Sequence, residues 1–526
     1  MSDNISIVRK EGGPVKRLLQ IIFILVFFLS CATLVFAGRQ TIRILHVNDF
    51  HGFAEPYRPL SGDERLGGIA YLAARADELR REKPSLLLSA GDMVQGNNWT
   101  NLFQGEPVIQ VMDLMAFDAM VPGNHEFDFG QDVLRKRISE ALFPVLAANV
   151  EGFGFFKPYI IREVGGVKVA IIGIVTKETP VSTHPRNVAG LTFSSPADTM
   201  RRYLPELRKN ADIVIVLSHI GYAADRVLAE QVNGIDIIVG GHSHTKLDHP
   251  ATVGDTIIVQ AWEHAKTLGV LDITVEDSRI VRSEGHLEVI RPSGREDAAV
   301  AAVVQRYGKK VDAVLDERIG SAGVDLDGEN VRLMETNLGD LIADIMRKAS
   351  GADAAIINSG GIRTSIRKGD IRMKDVYSVL PFDNYIVAAR LTGRQIRQAL
   401  DHGVSAVENG EGRFPQVSGL NFRYDRSAPA GSRVTEVFVR GEPLLPDKEY
   451  TVATNDFLAA GGDGYKAFGD AVKASRDFEV VGGMMKGERL VYNDSGRWLR
   501  DVVAAYIREK KNIAPQPEGR ILEGRR

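Results

Sequence analysis

Side chains that can bind metal ions gather in five short clusters in the first half of the sequence, each directly after an apolar run. The clusters are VNDFHG with Asp49 and His51, SAGD with Asp92, PGNHE with Asn124 and His125, LSHIG with His219, and VGGHSH with His242 and His244. Imidazole, carboxylate and amide groups without thiolates favour zinc, manganese or similar divalent ions. This donor set is suited to metal-assisted hydrolysis.

Each cluster alone has an ordinary explanation. An Asp-x-His pair is more often a turn, Gly-Asp after a strand is usually a turn, and Asn124 alone would be a helix cap. Their co-occurrence favours a site, because five of the 11 histidines fall in these clusters. Asp49 and His51 are two residues apart, so in an extended segment they would point the same way and could hold one ion. His242 and His244 share that spacing.

The elements that must position these clusters are predicted to be α/β in character. From Thr41 to about Leu287, apolar runs such as TIRILHVN, SLLLSA, KVAIIGIV, DIVIVLSH, IDIIVGG and TIIVQA alternate with amphipathic stretches. Helices are predicted at IAYLAARADELRR and PVIQVMDLMAF. Sites in open α/β sheets form at the carboxyl ends of strands, where the clusters stand.

A linker and a second α/β unit follow. PSGREDAAVAAVVQRYGKKVDAVLDERIG predicts a linker with a connecting helix, and from about Gly320 a new α/β unit begins. In that unit ETNLGDLIADIMRKAS predicts a helix capped by Asn337. INSGGIRTSI places three small residues before Arg363, so backbone can approach a ligand and a guanidinium can reach a phosphate. A tight turn and a solvated arginine are the alternatives.

The N-terminus predicts export. Four basic residues precede the apolar stretch LLQIIFILVFFLSCATLVFAG, which ends in small residues, so residues 1–37 are interpreted as a signal peptide, with an uncleaved membrane anchor as the alternative. The single cysteine, Cys31, lies inside it, which excludes disulfides and a cysteine nucleophile from the mature chain. We expect a periplasmic or extracellular protein. A net charge of -3 gives no electrostatic case for a nucleic acid polymer, and no feature indicates an oligomeric state.

The motifs together resemble the 5′-nucleotidases within the calcineurin-like metallophosphoesterases. NDFHG, GD, GNHEFD, SHIG and GGHSH occur in the family's order, and the resemblance covers about residues 41 to 522. It implies a four-layer α/β/β/α metallophosphoesterase domain over 41–290, a linker and connecting helix over 291–319, and an α/β nucleotide-specificity domain over 320–526. It further implies an exported enzyme that uses two divalent metal ions to release phosphate from nucleoside 5′-monophosphates.

The resemblance also implies roles for the clustered residues. One ion is expected at Asp49, His51, Asp92 and His244, and the other at Asp92, Asn124, His219 and His242, so that Asp92 bridges. Some well-known members carry Gln or Asn at the position of His244, which leaves the metal open between zinc, manganese and similar ions. A hydroxide bound to the metal is expected to attack phosphorus, while His125, held by Asp128, stabilises charge in the transition state.

In the C-terminal unit the resemblance implies a nucleotide-binding set. Phe382 and Phe457 are expected to sandwich the base, and Asp463 to bind the ribose hydroxyls. Stacking on a base is worth about 1–3 kcal/mol and tolerates any base, so base selectivity should be modest. The remaining members of the set are Arg332, Asn358, Gly361 and Arg363.

Other activities stay open at this point. The enzyme could also cleave UDP-sugars, or it could be a 2′,3′-cyclic-nucleotide phosphodiesterase with 3′-nucleotidase activity. A hydrolase that removes a sulfate group from a carrier protein is disfavoured by the two phenylalanines and Arg363. A non-catalytic nucleotide-binding protein would have little reason to retain every ligand together with His125 and Asp128.

Overall fold

The structure is a computed structural model that describes residues 39–60, 62–481 and 484–524. The predicted signal peptide, including Cys31, lies outside these residues. Within the described part of the chain, no helix is both long and apolar enough to cross a membrane.

The N-terminal half builds a mixed α/β domain. Its described strands are β1 (Gln40–Val47), β2 (Ser85–Ser89), β3 (Ala119–Met120), β4 (Val150–Glu151), β5 (Tyr159–Val164), β6 (Val167–Val175), β7 (Thr192–Phe193), β8 (Ile213–His219), β9 (Ile237–Gly240), β10 (Ala251–Val253), β11 (Thr256–Gln260), β12 (Thr267–Glu276) and β13 (Arg279–Val289). Its α-helices are α1 (Ile69–Glu82), α2 (Asn98–Asn101), α3 (Glu106–Leu114), α4 (Gln131–Glu140), α5 (Thr179–Ser182), α6 (Pro196–Asn210) and α7 (Tyr222–Gln231).

Two sheets pack face to face in this domain. Their strand orders are β13-β12-β1-β2-β3 and β10-β11-β9-β8-β6-β5. Side chains alternate along β1, so Ile44 enters the core between the sheets and Leu45 faces α1 and α3. In β6, Ile171 enters the same central core and Ile172 faces α6 and α7. The layers are therefore α/β/β/α, which confirms the predicted fold class.

Two long strands escaped the sequence analysis. β12 and β13 pair antiparallel, and β13 forms the sheet edge with most of its side chains exposed or half-buried. An edge strand of this kind lacks the continuous apolar run that marks a strand covered on both faces. The apolar run AFDAMVP, which directly precedes Gly123, forms only the two-residue strand β3.

The predicted connecting helix is α8 (Ala298–Leu315). The carboxylate of Asp297 accepts hydrogen bonds from the backbone N–H groups of Ala299 and Val300, which caps the helix. Val300, Val303 and other apolar side chains of α8 join the core beneath α1 and α3. By its packing, α8 therefore belongs with the N-terminal side.

The C-terminal half is a second α/β unit. Its described strands are β14 (Arg318–Ala322), β15 (Ala354–Asn358), β16 (Gly369–Arg372), β17 (Tyr385–Thr392), β18 (Pro415–Ser418), β19 (Leu420–Tyr424), β20 (Val434–Val439), β21 (Glu442–Pro443), β22 (Glu449–Asn455), β23 (Glu479–Val481), β24 (Met484–Lys486), β25 (Leu490–Trp498), β26 (Asn512–Ile513) and β27 (Ile521–Glu523). Its α-helices are α9 (Asn337–Ser350), α10 (Met373–Val379), α11 (Gly393–Gly403), α12 (Asp456–Ala459), α13 (Lys466–Lys473) and α14 (Leu499–Lys510).

A five-stranded sheet, β18-β15-β22-β17-β25, is central to this unit. Helices α9 and α14 cover one of its faces, where Ile357 lies, and α11 and α13 cover the face of Ile356. The first strand, β14, already begins at Arg318, whereas the domain boundary at residue 320 stays a prediction.

The predicted cap of α9 was wrong by one residue. Thr336 precedes the helix with extended backbone, and its hydroxyl accepts a hydrogen bond from the Gly339 N–H. Asn337 is the first helical residue, and its side chain donates to the carbonyl of Asp325 and accepts from the Asp327 N–H. Asn337 therefore ties the preceding loop to the helix, while the hydroxyl of Thr336 caps it.

Candidate active site between the two halves of the chain

All five polar clusters lie at the carboxyl ends of strands and converge. They follow β1, β2, β3 and β9, and His219 is the last residue of β8. Two groups of potential ligand atoms result, each with its atoms within 4.8 Å of one another. The first group is Asp49, His51 and His244, and the second is Asp92, His219 and His242.

Local backbone conformation brings the ligands together in a way that the sequence spacing did not predict. Asp49 and His51 both have φ of 51°, and His242 and His244 have φ of 76° and 51°, so neither pair is extended. Asp92 is also left-handed, with φ of 54°. His242 and His244 consequently separate into different groups. Left-handed backbone is costly for residues with a Cβ, and such strain concentrates at functional sites.

The first group has its nitrogen lone pairs aimed at a common point. His51 Nε2 lies 3.2 Å from His244 Nε2, which is 3.3 Å from Asp49 Oδ1. His51 Nδ1 is 2.8 Å from the carbonyl of Gln95, so this nitrogen carries the proton that it donates. The Nε2 of His51 is thereby left as a lone-pair donor for a cation.

The second group shows the same arrangement. His219 Nδ1 donates to the carbonyl of Ala90 at 2.6 Å, and its Nε2 lies 3.1 Å from Asp92 Oδ2. The buried Asn124 Oδ1 has no hydrogen-bond partner, as expected for an atom that serves as a metal ligand. A Cβ on Gly123 would lie 2.1 Å from Asp92 Oδ1, so only glycine lets the backbone pass this close.

Asp92 stands between the groups, since its Oδ2 is also 3.9 Å from His51 Nε2. Although burial opposes the change, the Asp92 carboxylate raises the pKa of His219 to about 10. The same negative charge that favours a proton on Nε2 favours a divalent cation there, and the two compete. Burial and the charge of His219 lower the pKa of His242 to about 4, which keeps that imidazole neutral, as a metal ligand must be.

His125 is oriented by a carboxylate and belongs to neither group. Its Nδ1 is 2.5 Å from Asp128 Oδ2, and Asp128 in turn accepts a hydrogen bond from the Thr183 hydroxyl at 2.6 Å. Burial works against protonation, but the Asp128 and Asp92 charges outweigh it and raise the pKa of His125. The ring therefore favours a proton on Nε2.

Two residues that support the site escaped the sequence analysis. The buried Glu126 carboxylate accepts hydrogen bonds from the backbone N–H groups of Gly123, Asp92, Met93 and Val94, and so joins the loops after β2 and β3. Asn48 donates to Asp49 Oδ2 at 2.7 Å and fixes its orientation. Glu126 lies in the motif GNHEF and Asn48 in the motif VNDFHG. The sequence signal that could have identified them was a polar side chain close to a predicted ligand.

A cavity of about 1210 Å³ lies in front of the ligand groups and is lined by both halves of the chain. Asp49, His51 and His219 lie behind its wall, where they are fully buried. The other predicted site residues line it: Asp92, Asn124, His125, Asp128, His242, His244, Arg332, Asn358, Gly361, Arg363, Phe382, Phe457 and Asp463.

Arg363 links the two halves directly. Its Nη2 lies 3.0 Å from His51 Nε2, although 312 residues separate the two in sequence. Burial and the nearby charge of Arg332 lower the pKa of Arg363 to about 10, which leaves it a cation at neutral pH. Two arginines from the C-terminal half therefore line the cavity in front of the candidate ligand groups.

Both phenylalanines and Asp463, the residues predicted to bind the nucleoside, line the same cavity. The Phe382 ring centroid lies 5.6 Å from that of His125, which places it beside the ligand groups. Asn358 donates to Asp463 Oδ2 at 2.6 Å and accepts from Asn455 at 3.0 Å, so its amide orients Asp463. Close backbone approach occurs at Gly360, where a Cβ would lie 3.1 Å from Gly412 Cα, whereas at Gly361 a Cβ would fit.

Arg500 is a further residue that the sequence did not reveal. Its Nη1 donates to the carbonyl of Phe382 at 2.9 Å, and its other terminal nitrogen pairs with Asp383. The guanidinium lies 4.7 Å from the Tyr377 ring centroid. Arg500, which lies in helix α14, therefore fixes the turn that carries Phe382.

Comparison with known proteins agrees with this architecture. The calcineurin-like phosphoesterase family matches residues 42–246, and the 5′-nucleotidase C-terminal domain matches residues 317–470. The chain is 31% identical to human 5′-nucleotidase over 92% of its length and 91% of that protein. It is 32% identical to the trifunctional nucleotide phosphoesterase YfkN of Bacillus subtilis over 92% of its length but only 35% of that protein.

Among solved structures, the 5′-nucleotidase precursor of Thermus thermophilus is 35% identical and aligns with a TM-score of 0.83 over 92% of this chain and all of that chain. Sequence, fold and domain pairing therefore coincide over nearly the full described length. The chain belongs to the 5′-nucleotidase family, whose members join a calcineurin-like phosphoesterase domain to a 5′-nucleotidase C-terminal domain.

Proposed function

We propose that this phosphoesterase hydrolyses nucleoside 5′-monophosphates to nucleoside and phosphate in the cavity between its halves. The observation that carries the proposal is that one cavity joins the ligand groups and His125 to Phe382, Phe457 and Asp463. A phosphate bound near the ligand groups would leave its nucleoside directed toward aromatic faces and a carboxylate. The family's phosphoesterase chemistry supports this substrate class.

We propose that Asp49, His51, Asp92 and His244 would hold one divalent ion, and Asp92, Asn124, His219 and His242 a second. When bound, two such ions supply an activated water and neutralise charge on the phosphate. Imidazole, carboxylate and amide donors without thiolate fit zinc or manganese. The unpartnered Asn124 Oδ1 supports the assignment.

The chain's own residues would bind the substrate and donate one proton to the leaving oxygen. Arg332 and Arg363 bind the phosphoryl oxygens as fixed cations. Phe382 and Phe457 hold the base, and Asp463, oriented by Asn358, accepts hydrogen bonds from ribose hydroxyls. As the bond between phosphorus and the ribose 5′-oxygen breaks, His125 holds a proton at Nε2 for that oxygen, while Asp128 keeps the ring aligned.

A second substrate class is favoured by the size of the cavity. Its volume of about 1210 Å³ exceeds the range of about 300–1,000 Å³ that is usual for small-molecule pockets. A nucleotide with an additional group, such as a UDP-sugar, would fill more of it. We therefore include UDP-sugar hydrolysis as a second candidate activity.

The test is a substrate panel of AMP, UDP-glucose, 2′,3′-cyclic AMP and bis-nitrophenyl phosphate, run with chelator and with zinc or manganese restored. We expect metal-dependent phosphate release, greatest with AMP. Greatest activity on cyclic AMP would favour the phosphodiesterase alternative. If every substrate stayed intact with metal present, the alternative of a non-catalytic nucleotide-binding protein would be favoured.

We also propose export directed by residues 1–37, on the support of the basic and apolar segment alone. Amino-terminal sequencing of the protein from the extracytoplasmic fraction tests this. A mature start near Gly38 is expected, whereas an intact Met1 in a membrane fraction would indicate an anchor.

A further inference from the structure

The segment that follows β11, residues 262–265, lies beside the first ligand group. Trp262, His264 and Ala265 have φ of 59°, 56° and 54°, an unusual run of left-handed residues with side chains. Asn48 donates to the carbonyl of Trp262 at 2.6 Å, and the His264 N–H donates to the carbonyl of Asp49 at 2.8 Å. The segment is therefore fixed to the loop that carries the predicted ligand Asp49.

The side chain of Glu263 points from this segment to the predicted ligand His244. Its Oε2 is 2.5 Å from His244 Nδ1, and its Oε1 accepts a hydrogen bond from Lys266 Nζ at 2.6 Å. Lys266 is itself buried, and its Nζ lies 4.6 Å from the Trp262 ring centroid. Both carboxylate oxygens thus have partners, which restricts the side chain to one orientation.

In this contact His244 differs from His51 and His219, the two other predicted metal ligands whose Nδ1 partner the structure shows. The Nδ1 atoms of His51 and His219 meet the neutral backbone carbonyls of Gln95 and Ala90, whereas that of His244 meets a carboxylate. A carboxylate fixes the proton on Nδ1, directs the Nε2 lone pair at the cation and makes the imidazole a stronger electron donor. The effect is specific to the first group.

We propose that Glu263 is a positioning residue that sets the affinity of the first metal site through His244. The proposal rests on the metal site proposed above. Loss of such a supporting carboxylate typically weakens metal affinity by about 10- to 100-fold. The second site, held by Asp92, Asn124, His219 and His242, should keep its affinity because Glu263 makes no contact with its histidines.

The experiment measures metal binding directly, by competition with a chromophoric chelator for zinc or manganese and by metal content after dialysis. The full chain is compared with Glu263→Gln and with a matched control, Glu288→Gln, whose carboxylate pairs with Arg75 on the same domain. We expect one of two ions to bind 10- to 100-fold more weakly in Glu263→Gln only. Equal binding of both ions in that variant would overturn the proposal.

A double-mutant cycle shows whether Glu263 acts through His244. In a His244→Ala background the additional change Glu263→Gln should have no further effect on metal affinity, because the contact is already gone. Additive losses would contradict the proposed route. Lys266→Met removes only the second partner of Glu263 and should weaken binding of the same ion to a smaller degree. This variant keeps the proposal testable if Glu263→Gln does not fold. Unchanged metal binding in Lys266→Met would count against the proposal. A wild-type chain that takes up no ion would instead refute the metal site itself.

Discussion

At the scale of single residues, the site depends on which imidazole nitrogen carries the proton. His51 and His219 donate from Nδ1 to carbonyl oxygens, which leaves Nε2 for the proposed cation. His125 also has Nδ1 against a carboxylate, but its ring lies outside both ligand groups. Nδ1 therefore meets a carbonyl in two of the proposed metal ligands and a carboxylate in His125, for which we propose proton transfer instead.

Replacement of His125 separates these roles. We expect His125→Ala to lower kcat by about 10²- to 10⁴-fold, the usual contribution of a positioned acid–base group, while both ions stay bound. Steady-state kinetics with AMP and metal analysis of the same sample provide the measurement. A smaller loss is expected for Asp128→Asn, since the ring remains but its orientation is less restricted. Loss of the ions from His125→Ala would show that the residue is a ligand.

At the scale of elements, the loops at the ends of strands and helices carry the site residues, and elements distant in sequence hold those loops in position. Helix α14 holds the Phe382 turn through Arg500, whose guanidinium donates to the Phe382 carbonyl. The Phe382 ring is only half-buried in the cavity wall. The base-binding role that we propose for Phe382 thus depends on a residue more than a hundred positions later in the chain.

We expect Arg500→Met to raise KM for AMP and to leave hydrolysis of nitrophenyl phosphate nearly unchanged, because only the nucleoside contacts the Phe382 turn. Base stacking is worth about 1–3 kcal/mol, so the rise should lie between a few-fold and about 100-fold, with Phe382→Ala as its upper limit. Arg497→Met is the matched control, since Arg497 is exposed and pairs with Asp494. Equal losses on both substrates would point to a general folding defect.

Helix α9 carries a buried acid that should make stability depend on pH. Burial raises the pKa of Asp340 to about 8, with Glu335 adding to the effect and Arg520 opposing it. In the unfolded chain its pKa would be about 3.9. Between these values the folded chain holds a proton that the unfolded chain lacks, so the contribution to stability is present at low pH and is lost as pH rises to about 8.

Asp340→Asn should remove this pH dependence, because the amide does not titrate. We expect the variant to be more stable than wild type at pH 9 and to differ little from it at pH 4. Urea unfolding midpoints at several pH values measure the effect. Parallel curves for the two proteins across that range would contradict a raised pKa for Asp340.

At the scale of the whole molecule, the two halves meet through polar contacts. None of the hydrophobic cores within the described residues contains side chains from both halves. Contacts between the halves include the Tyr57 hydroxyl with Glu329 at 2.9 Å and Asn98 Nδ2 with Ser378 Oγ at 2.9 Å. Interfaces of this kind permit rotation of one domain against the other.

Locking the halves together tests whether turnover needs such rotation. We expect a disulfide between Asn98→Cys and Ser378→Cys to suppress multiple turnovers and a reductant to restore them, because products would be trapped between the halves. The variants with only one of the two substitutions are the controls under the same oxidising conditions. Full activity of the crosslinked protein would show that release does not require relative motion.

The sequence by itself determined the fold class, the order of the motifs and the convergence of the five clusters. Apolar runs that are covered on both faces indicate strands clearly, and parallel strands place the residues that follow them at the same end of their sheet. These signals are local, so they can be recognised in the sequence without any knowledge of packing. The same locality explains why the exposed edge strand β13 was missed and why the cap of α9 was placed at Asn337 rather than Thr336.

Only the tertiary structure decided how the residues are used. Asp49 and His51 have left-handed backbone, whereas their spacing predicted an extended segment. The packing of loops from several strands imposes this conformation. The contact of Arg363 with His51 joins residues 312 positions apart, and Glu263 reaches His244 only through the turn after β11. Such pairings depend on the closure of long loops in space, which no pattern of neighbouring residues encodes.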